Sequence, residues 1–233
     1  FLLRQGYDPN VPDAEGIFPL QYAAHAQELG MVRMLLAHGA DLQVRDPNGE
    51  SVVHYAVHPK RHAGLHFRPR TLNPHMIDLL HHHGADLNAQ DSLGDTPLHK
   101  IAAMQMMDFI LVGDCALTYD IPTPALLEAR ATVWRLLDYG ADPNIANQAG
   151  DLPIHIAARV PHTDPSNPWM ALRANNDPKD RYIVDTLSIF SAADISPHTK
   201  NRTGSSAEAL RTKAAKKAEL DQNQLIRDLQ RRR

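Results

Sequence analysis

The stretch that decides the fold is "DSLGDTPLHKIA", residues 91–102. Three others align with it without a gap: "DAEGIFPLQYAA" (13–24), "DPNGESVVHYAV" (46–57) and "NQAGDLPIHIAA" (147–158). Each opens on Asp or Asn, carries glycine at its fourth position and then runs into apolar residues at helical spacing, the pattern of a turn that starts a helix. Seven residues before each copy stands "GYD" or "GAD", beginning at Gly6, Gly39, Gly84 and Gly140. Those glycines close a second apolar helical run, where a left-handed C′ residue is needed. One turn and two short helices cannot bury their own apolar face, but stacked neighbours can.

These residues resemble the ankyrin repeat, with its turn glycine, its T-P-L-H-x-A-A inner helix, its outer helix and its G-A-D finger; "TPLH" at 96–99 is a full match. The resemblance implies an all-α solenoid of stacked helix-turn-helix units with β-hairpin-like finger loops. Its register divides the chain into 1–12, the end of an upstream repeat, and repeats at 13–45, 46–90, 91–146 and 147–200. Residues 201–233 follow as a worn capping repeat with a basic helical tail. "FLLRQG" at the start reads as an outer helix without its inner partner, so further repeats upstream are expected.

The chain departs from the family in its spacing. Gly6 to Gly39 is the family's 33 residues, whereas Gly39 to Gly84 is 45 and Gly84 to Gly140 is 56. The surplus falls between inner and outer helices, at 58–74, 104–130 and 159–181, which places three loops on one edge opposite the fingers. Insertions on one face of a repeat protein are tolerated and often carry its function. The first insert is basic, with Lys60, Arg61, Arg68 and Arg70 around Phe67, a composition suited to phosphate or carboxylate. The second is largely apolar, and its Thr123-Pro124 pair reads as an N-cap and first helical residue. The third is proline-rich and carries Trp169, a candidate binding anchor.

Net charge is −3, but residues 200–233 hold ten Lys/Arg against four Asp/Glu, so a basic tail follows an acidic body. That tail admits nucleic-acid binding through 205–233, although like-charge blocks are commonly only solvated. No apolar run is long enough for a membrane span. One cysteine, Cys115, excludes a disulfide framework and a cysteine zinc site, and suits a reducing intracellular compartment, cytoplasmic or nuclear.

Fourteen histidines raise the question of a metal. The consecutive His81, His82 and His83 point about 100° apart on a helix and cannot ligate one ion together. His58, His62 and His66 have a spacing of four but are interrupted by Pro59 and Gly64, and neither group has a nearby carboxylate to complete a set. Counted from the finger glycine, His81 takes a core leucine's place, with His82 and His83 at the helix end. His54, His99 and His155 fall in the T-P-L-H column, where the resemblance implies a structural hydrogen-bonding residue; the first repeat has Gln21 there. Around Cys115 there is no nucleophile signature, and no phosphate-binding or dinucleotide glycine pattern appears, so no catalysis, metal or cofactor is assigned.

The resemblance implies a recognition surface made of the finger turns and the start of each inner helix. The position after the turn glycine is Ile17, Glu50, Asp95 and Asp151, with His25, His58, Ala103 and Arg159 behind it. Three acids in that column imply a basic or polar protein partner whose binding weakens with salt. The expected function is a protein-interaction scaffold or adaptor that uses this groove and the inserts, Arg68, Arg70 and Trp169 included. The alternatives are a regulatory or targeting arm of a larger enzyme or effector, and a nucleic-acid binder acting through the tail. The Asn10, Asn88 and Asn144 column in the fingers is read as structural turn chemistry.

Overall fold

The computed structural model describes residues 5–57, 72–103, 124–159, 196, 198–210 and 212–213; of residues 124–127 and 159 the backbone alone is described. Among the described residues seven helices alternate: α1 (Pro19–His25), α2 (Leu29–Ala37), α3 (Val52–Val57), α4 (Pro74–His82), α5 (Pro97–Ala103), α6 (Pro124–Asp138) and α7 (Pro153–Arg159). A further helical turn occupies residues 207–210. Proline opens five of these helices, where its missing N–H is one that no intrahelical carbonyl would have received.

The odd-numbered helices form an inner layer, α1 on α3, α3 on α5 and α5 on α7, and the even-numbered ones an outer layer, α2 on α4 and α4 on α6. Between the layers runs one continuous core through Leu20, Val32, Val53, Met76, Leu80, Leu98, Leu136 and Ile154. Single repeats contribute only a few of these side chains, so the stack and not the unit supplies the burial. Among the described residues there is no strand; the fingers are pinned by isolated antiparallel bridges, Arg45 to Ser51 and Lys200 to Ser206.

Successive turns are held by a backbone ladder: Ser92 N–H donates to Asn48 C=O at 2.8 Å, Gln148 to Leu93 at 3.0 Å and Arg202 to Gly150 at 3.1 Å. The approach is close enough to require glycine. Gly94 sits at φ +77°, and a Cβ there would lie 2.8 Å from the Gln148 nitrogen. At the first step of the ladder Pro47 has no N–H to offer, and its ring packs against Gly16 instead.

The helix bounds locate the three inserts. α3 ends at Val57 and α4 begins at Pro74, with Asn73 capping it by accepting from His75 N–H at 3.1 Å; Leu72 is already in the core. Residues 73 and 74 therefore belong to the helix start, not to the loop expected over 58–74. Likewise α6 begins at Pro124, so 124–130, expected within the second insert, extends the outer helix. Arg159 in turn ends α7, and residues 58–71, 104–123 and 160–181 lie outside the described residues.

Candidate partner-binding surface

The T-P-L-H column is an inter-repeat fastener. The Nδ1 atoms of His54, His99 and His155 accept the backbone N–H of Ser51, Thr96 and Leu152 at 3.1, 3.1 and 3.0 Å. Their Nε2 atoms donate across to the next repeat, to the carbonyls of Asp95, Asp151 and Thr199 at 2.9, 2.9 and 2.8 Å. A backbone N–H can only donate, so Nδ1 bears the lone pair and each ring is the neutral Nε2–H tautomer. Burial, the largest influence, accordingly holds the His54 and His99 imidazoles below their ordinary value, although the carbonyl each faces pulls the other way. Gln21 reproduces the device with an amide: Oε1 accepts Phe18 N–H at 3.0 Å and Nε2 donates to Glu50 C=O at 2.8 Å.

The residue that opens each turn organises it through the same carboxylate or amide oxygen. Asp46 Oδ1 accepts from Asn48 and Glu50 N–H at 3.0 and 2.7 Å, Asp91 Oδ1 from Leu93 and Asp95 at 2.8 and 2.9 Å. The second oxygen then takes a donor from the inner helix of its own repeat. Tyr22 OH reaches Asp13 at 2.6 Å, Tyr55 OH reaches Asp46 at 2.9 Å, and Lys100 Nζ reaches Asp91 at 2.5 Å.

This geometry corrects the expected acidic groove. Glu50 and Asp151 are buried and Asp95 is half-buried, so the column does not present a solvent-facing row of charge. Each acid fastens its repeat to the next. Lys100 Nζ lies 3.2 Å from Glu50 and 3.7 Å from Asp95. Asn147 Nδ2 donates to Asp95 at 2.8 Å, and Asn201 Nδ2 donates to Asp151 at 2.6 Å. Burial opposes the Lys100 charge, but its contacts with Asp91 and Glu50 outweigh that and raise its pKa. Burial would raise Asp91 in turn, and the Lys100 contact with two backbone N–H groups brings it below its ordinary value.

Sequence reasoning missed Lys100, Asn147 and Asn201, yet the signal was present. Both repeats whose turn opens on Asn instead of Asp follow a repeat with Asp in the acidic column. An amide can donate to a neighbouring carboxylate where a second carboxylate would repel it.

The other expected residues are placed separately. Ile17 is half-buried at the outer face of the first repeat, and His25 is buried, its ring edge-on to Tyr55 at 6.3 Å. Arg159 ends α7, while His58, Arg68, Arg70 and Trp169 lie outside the described residues. His81 is half-buried, and its ring stacks on Tyr139 of the next repeat, centroids 4.1 Å apart and planes 7° from parallel. That half-buried stack stands where a core leucine's place was expected. His82 and His83 are exposed, each with Nδ1 on the carbonyl four residues back, Asp78 at 2.6 Å and Leu79 at 2.8 Å. Asp78 below them accepts from Arg135 and from Tyr139 OH, tying α4 to α6. In the finger column Asn10 and Asn88 each clamp the next repeat. Asn10 donates to Gly39 C=O at 2.9 Å and accepts Asp41 N–H at 2.7 Å; Asn88 treats Gly140 and Asp142 the same way at 3.0 and 2.7 Å.

Among the described residues no three His, Cys, Asp or Glu side chains are grouped to hold a metal ion, and no helix is long and apolar enough to cross a membrane. Residues 1–66 match the family model for ankyrin repeats (3 copies). The same turn, histidine fastener and paired helices continue beyond that match, with His155 anchored on Thr199. Over residues 1–66 the chain is similar to the ankyrin-repeat family, and the stack of paired helices is consistent with an ankyrin solenoid. No curated protein matches it.

Proposed function

We propose that the chain is a protein-interaction scaffold whose partner is recognised on the edge that carries the three inserts. Ankyrin repeats generally mediate protein–protein interaction. The observation that carries the finer reading is the common position of three breaks. The inner helices α3, α5 and α7 all end, and the outer helices α4 and α6 begin, at the edge away from the finger turns. Inserts of basic, apolar and tryptophan-bearing sequence therefore spring from one side of a fastened stack. The acidic column, engaged between repeats, contributes order to the scaffold more than contact surface.

The test is affinity capture with the full chain against variants Arg68→Glu/Arg70→Glu and Trp169→Ala, and against replacement of 160–181 by a short Gly-Ser link. Loss of the same proteins in the insert variants, with the far-ultraviolet circular dichroism unchanged, is the expected result. Undiminished recovery after all three changes would show that the binding surface lies elsewhere.

A further inference from the structure

The seams between repeats are not equally fastened. Each seam from the second repeat onward carries a ladder bond between turns, donated by Ser92, Gln148 or Arg202. Each also carries a polar pair on the acidic column, Lys100 with Glu50, Asn147 with Asp95 and Asn201 with Asp151. The seam between the repeats at 13–45 and 46–90 has neither. Pro47 stands at the ladder position and has no N–H, and Ile17 stands in the acidic column. The fingers repeat the pattern. Asn10 clamps the finger of Gly39 and Asp41, and Asn88 clamps the finger of Gly140 and Asp142. Between them the same column holds Gln43, whose side chain clamps nothing among the described residues. Clamped fingers thus flank the unclamped one on both sides.

What remains across this seam lies in the inner layer and at the insert edge. α1 packs on α3, with His25 edge-on to Tyr55. Gln21 Nε2 donates to Glu50 C=O, and Gln27 spans Ala56 C=O and Asn73 N–H. At the fingers the strap found among the described residues is the exposed Arg45 guanidinium, which donates to Gln90 C=O at 3.2 Å. A long exposed side chain can follow a movement that a backbone bond would stop.

We propose that the stack hinges at this seam, pivoting on α1, α3 and Gln27 and opening along the turns and fingers. Contacts in a repeat stack join nearest neighbours, so bonds missing at one seam loosen that seam alone. Ile17, Gln43 and Pro47 come from three different columns and fall at the same seam. A hinge absorbs motion at a few residues while the packed units on either side move as bodies. Because Gln27 holds both ends of the first insert, opening changes the spacing of the fingers and leaves the insert edge in place.

The test is the distance between paired spin labels, by double electron–electron resonance, in the full chain carrying Cys115→Ser. One pair, Glu15→Cys/Leu93→Cys, brackets the loose seam and the next. The other, Asn48→Cys/Ala149→Cys, brackets two fastened seams; all four sites are exposed. Both pairs span two steps of the stack, roughly 20 Å. The distribution for the first pair is expected to be about twofold wider than for the second, or more. Gln43→Asn/Pro47→Ser installs the residues that stand in the same columns one repeat later, Asn88 and Ser92, and should narrow the first distribution to the width of the second. Equal widths without that change overturn the proposal, and so does a broad first distribution that the refastened variant, with its circular dichroism unchanged, leaves as it was. Breadth caused by unfolding of α1 and α2, seen as rapid exchange of their backbone amides, overturns it as well.

Discussion

Replacing Lys100 by methionine removes the cation that, among the described residues, lies between Glu50, Asp91 and Asp95, while preserving the length and apolar stem of the side chain. The lysine side chain is only 14% exposed, with Nζ 2.5 Å from Asp91, 3.2 Å from Glu50 and 3.7 Å from Asp95. Breaking a buried ion pair by deleting one partner costs about 3–5 kcal/mol, because the remaining charge stays desolvated. Here carboxylates of two repeats lose a shared cation, so we expect Lys100→Met to destabilise by about 3 kcal/mol or more at pH 7. In a domain of this size that lowers the melting temperature by roughly 6–12 °C. Acid gives a second, independent reading. In the wild type Asp91 is depressed below its ordinary 3.8, so its contribution is present above the unfolded value and is lost as pH falls through the folded one. Lys100 is raised above 10.5, so its contribution is present below that value and is lost as pH climbs through the folded one. Without the lysine, burial acts on Asp91 against two backbone N–H groups alone, and protonation relieves the repulsion. The deficit of the variant should therefore narrow as pH is lowered from 7 toward 4.5. Urea unfolding followed by circular dichroism at several pH values measures both effects. A deficit under about 1 kcal/mol at pH 7, the range of an exposed pair, or one that widens in acid, would refute the assigned role.

His54 and His99 are held neutral, so stability should fall as pH drops below 6.5, the ordinary imidazole value, by up to about 1.4 kcal/mol per pH unit for each ring. The double variant His54→Gln/His99→Gln, which installs the amide that Gln21 already uses, should flatten that slope in urea titrations between pH 6.5 and 5; an unchanged slope would place the titrating groups elsewhere. Asn201→Asp keeps the oxygen that accepts from Thr203 and Ser205 N–H but sets a carboxylate against Asp151, and should cost about 2 kcal/mol at pH 7 with recovery in acid. Finally, His81→Leu exchanges a half-buried stack on Tyr139 for aliphatic contact and should shift thermal stability by less than about 1 kcal/mol; a larger loss would give the stack a weight that its exposure does not suggest.

How much of this was legible depended on whether a residue acts within its own repeat or between repeats. The helix starts, the finger glycines and the histidine column are local patterns with fixed spacing, and the ankyrin resemblance they carry implied one structural role for His54, His99 and His155, with Gln21 in the same column. The acidic column misled because a polar residue after a turn glycine ordinarily faces water. Its burial follows from Lys100, Asn147 and Asn201, each in the repeat that follows its acid, between 50 and 52 positions further along the chain. His81 failed differently. Its leucine-like register was visible, but its partner Tyr139 is 58 residues away, and an imidazole laid flat on a phenol does not need the full burial of a core leucine.

The same contrast between fastening within and across repeats explains how the stack tolerates its inserts. Gln27 adopts φ +60°, uncommon for a residue with a side chain, and from there its amide reaches both ends of the first break. Nε2 donates to Ala56 C=O at 2.6 Å, one residue before α3 ends, and Oε1 accepts Asn73 N–H at 3.0 Å, where α4 is capped. The two ends are thereby fixed by a neighbouring repeat, whatever lies between them. Once the ends are held, lengthening a loop adds entropy cost only logarithmically, about 0.6 kcal/mol per doubling. Extra residues at this edge are therefore nearly free of structural penalty, whereas the turns opposite are committed to ladder, histidine and acid contacts with both neighbours. Variation that could distinguish one partner from another has room on the insert edge and little on the turns, and that asymmetry supports the proposal of recognition on that edge.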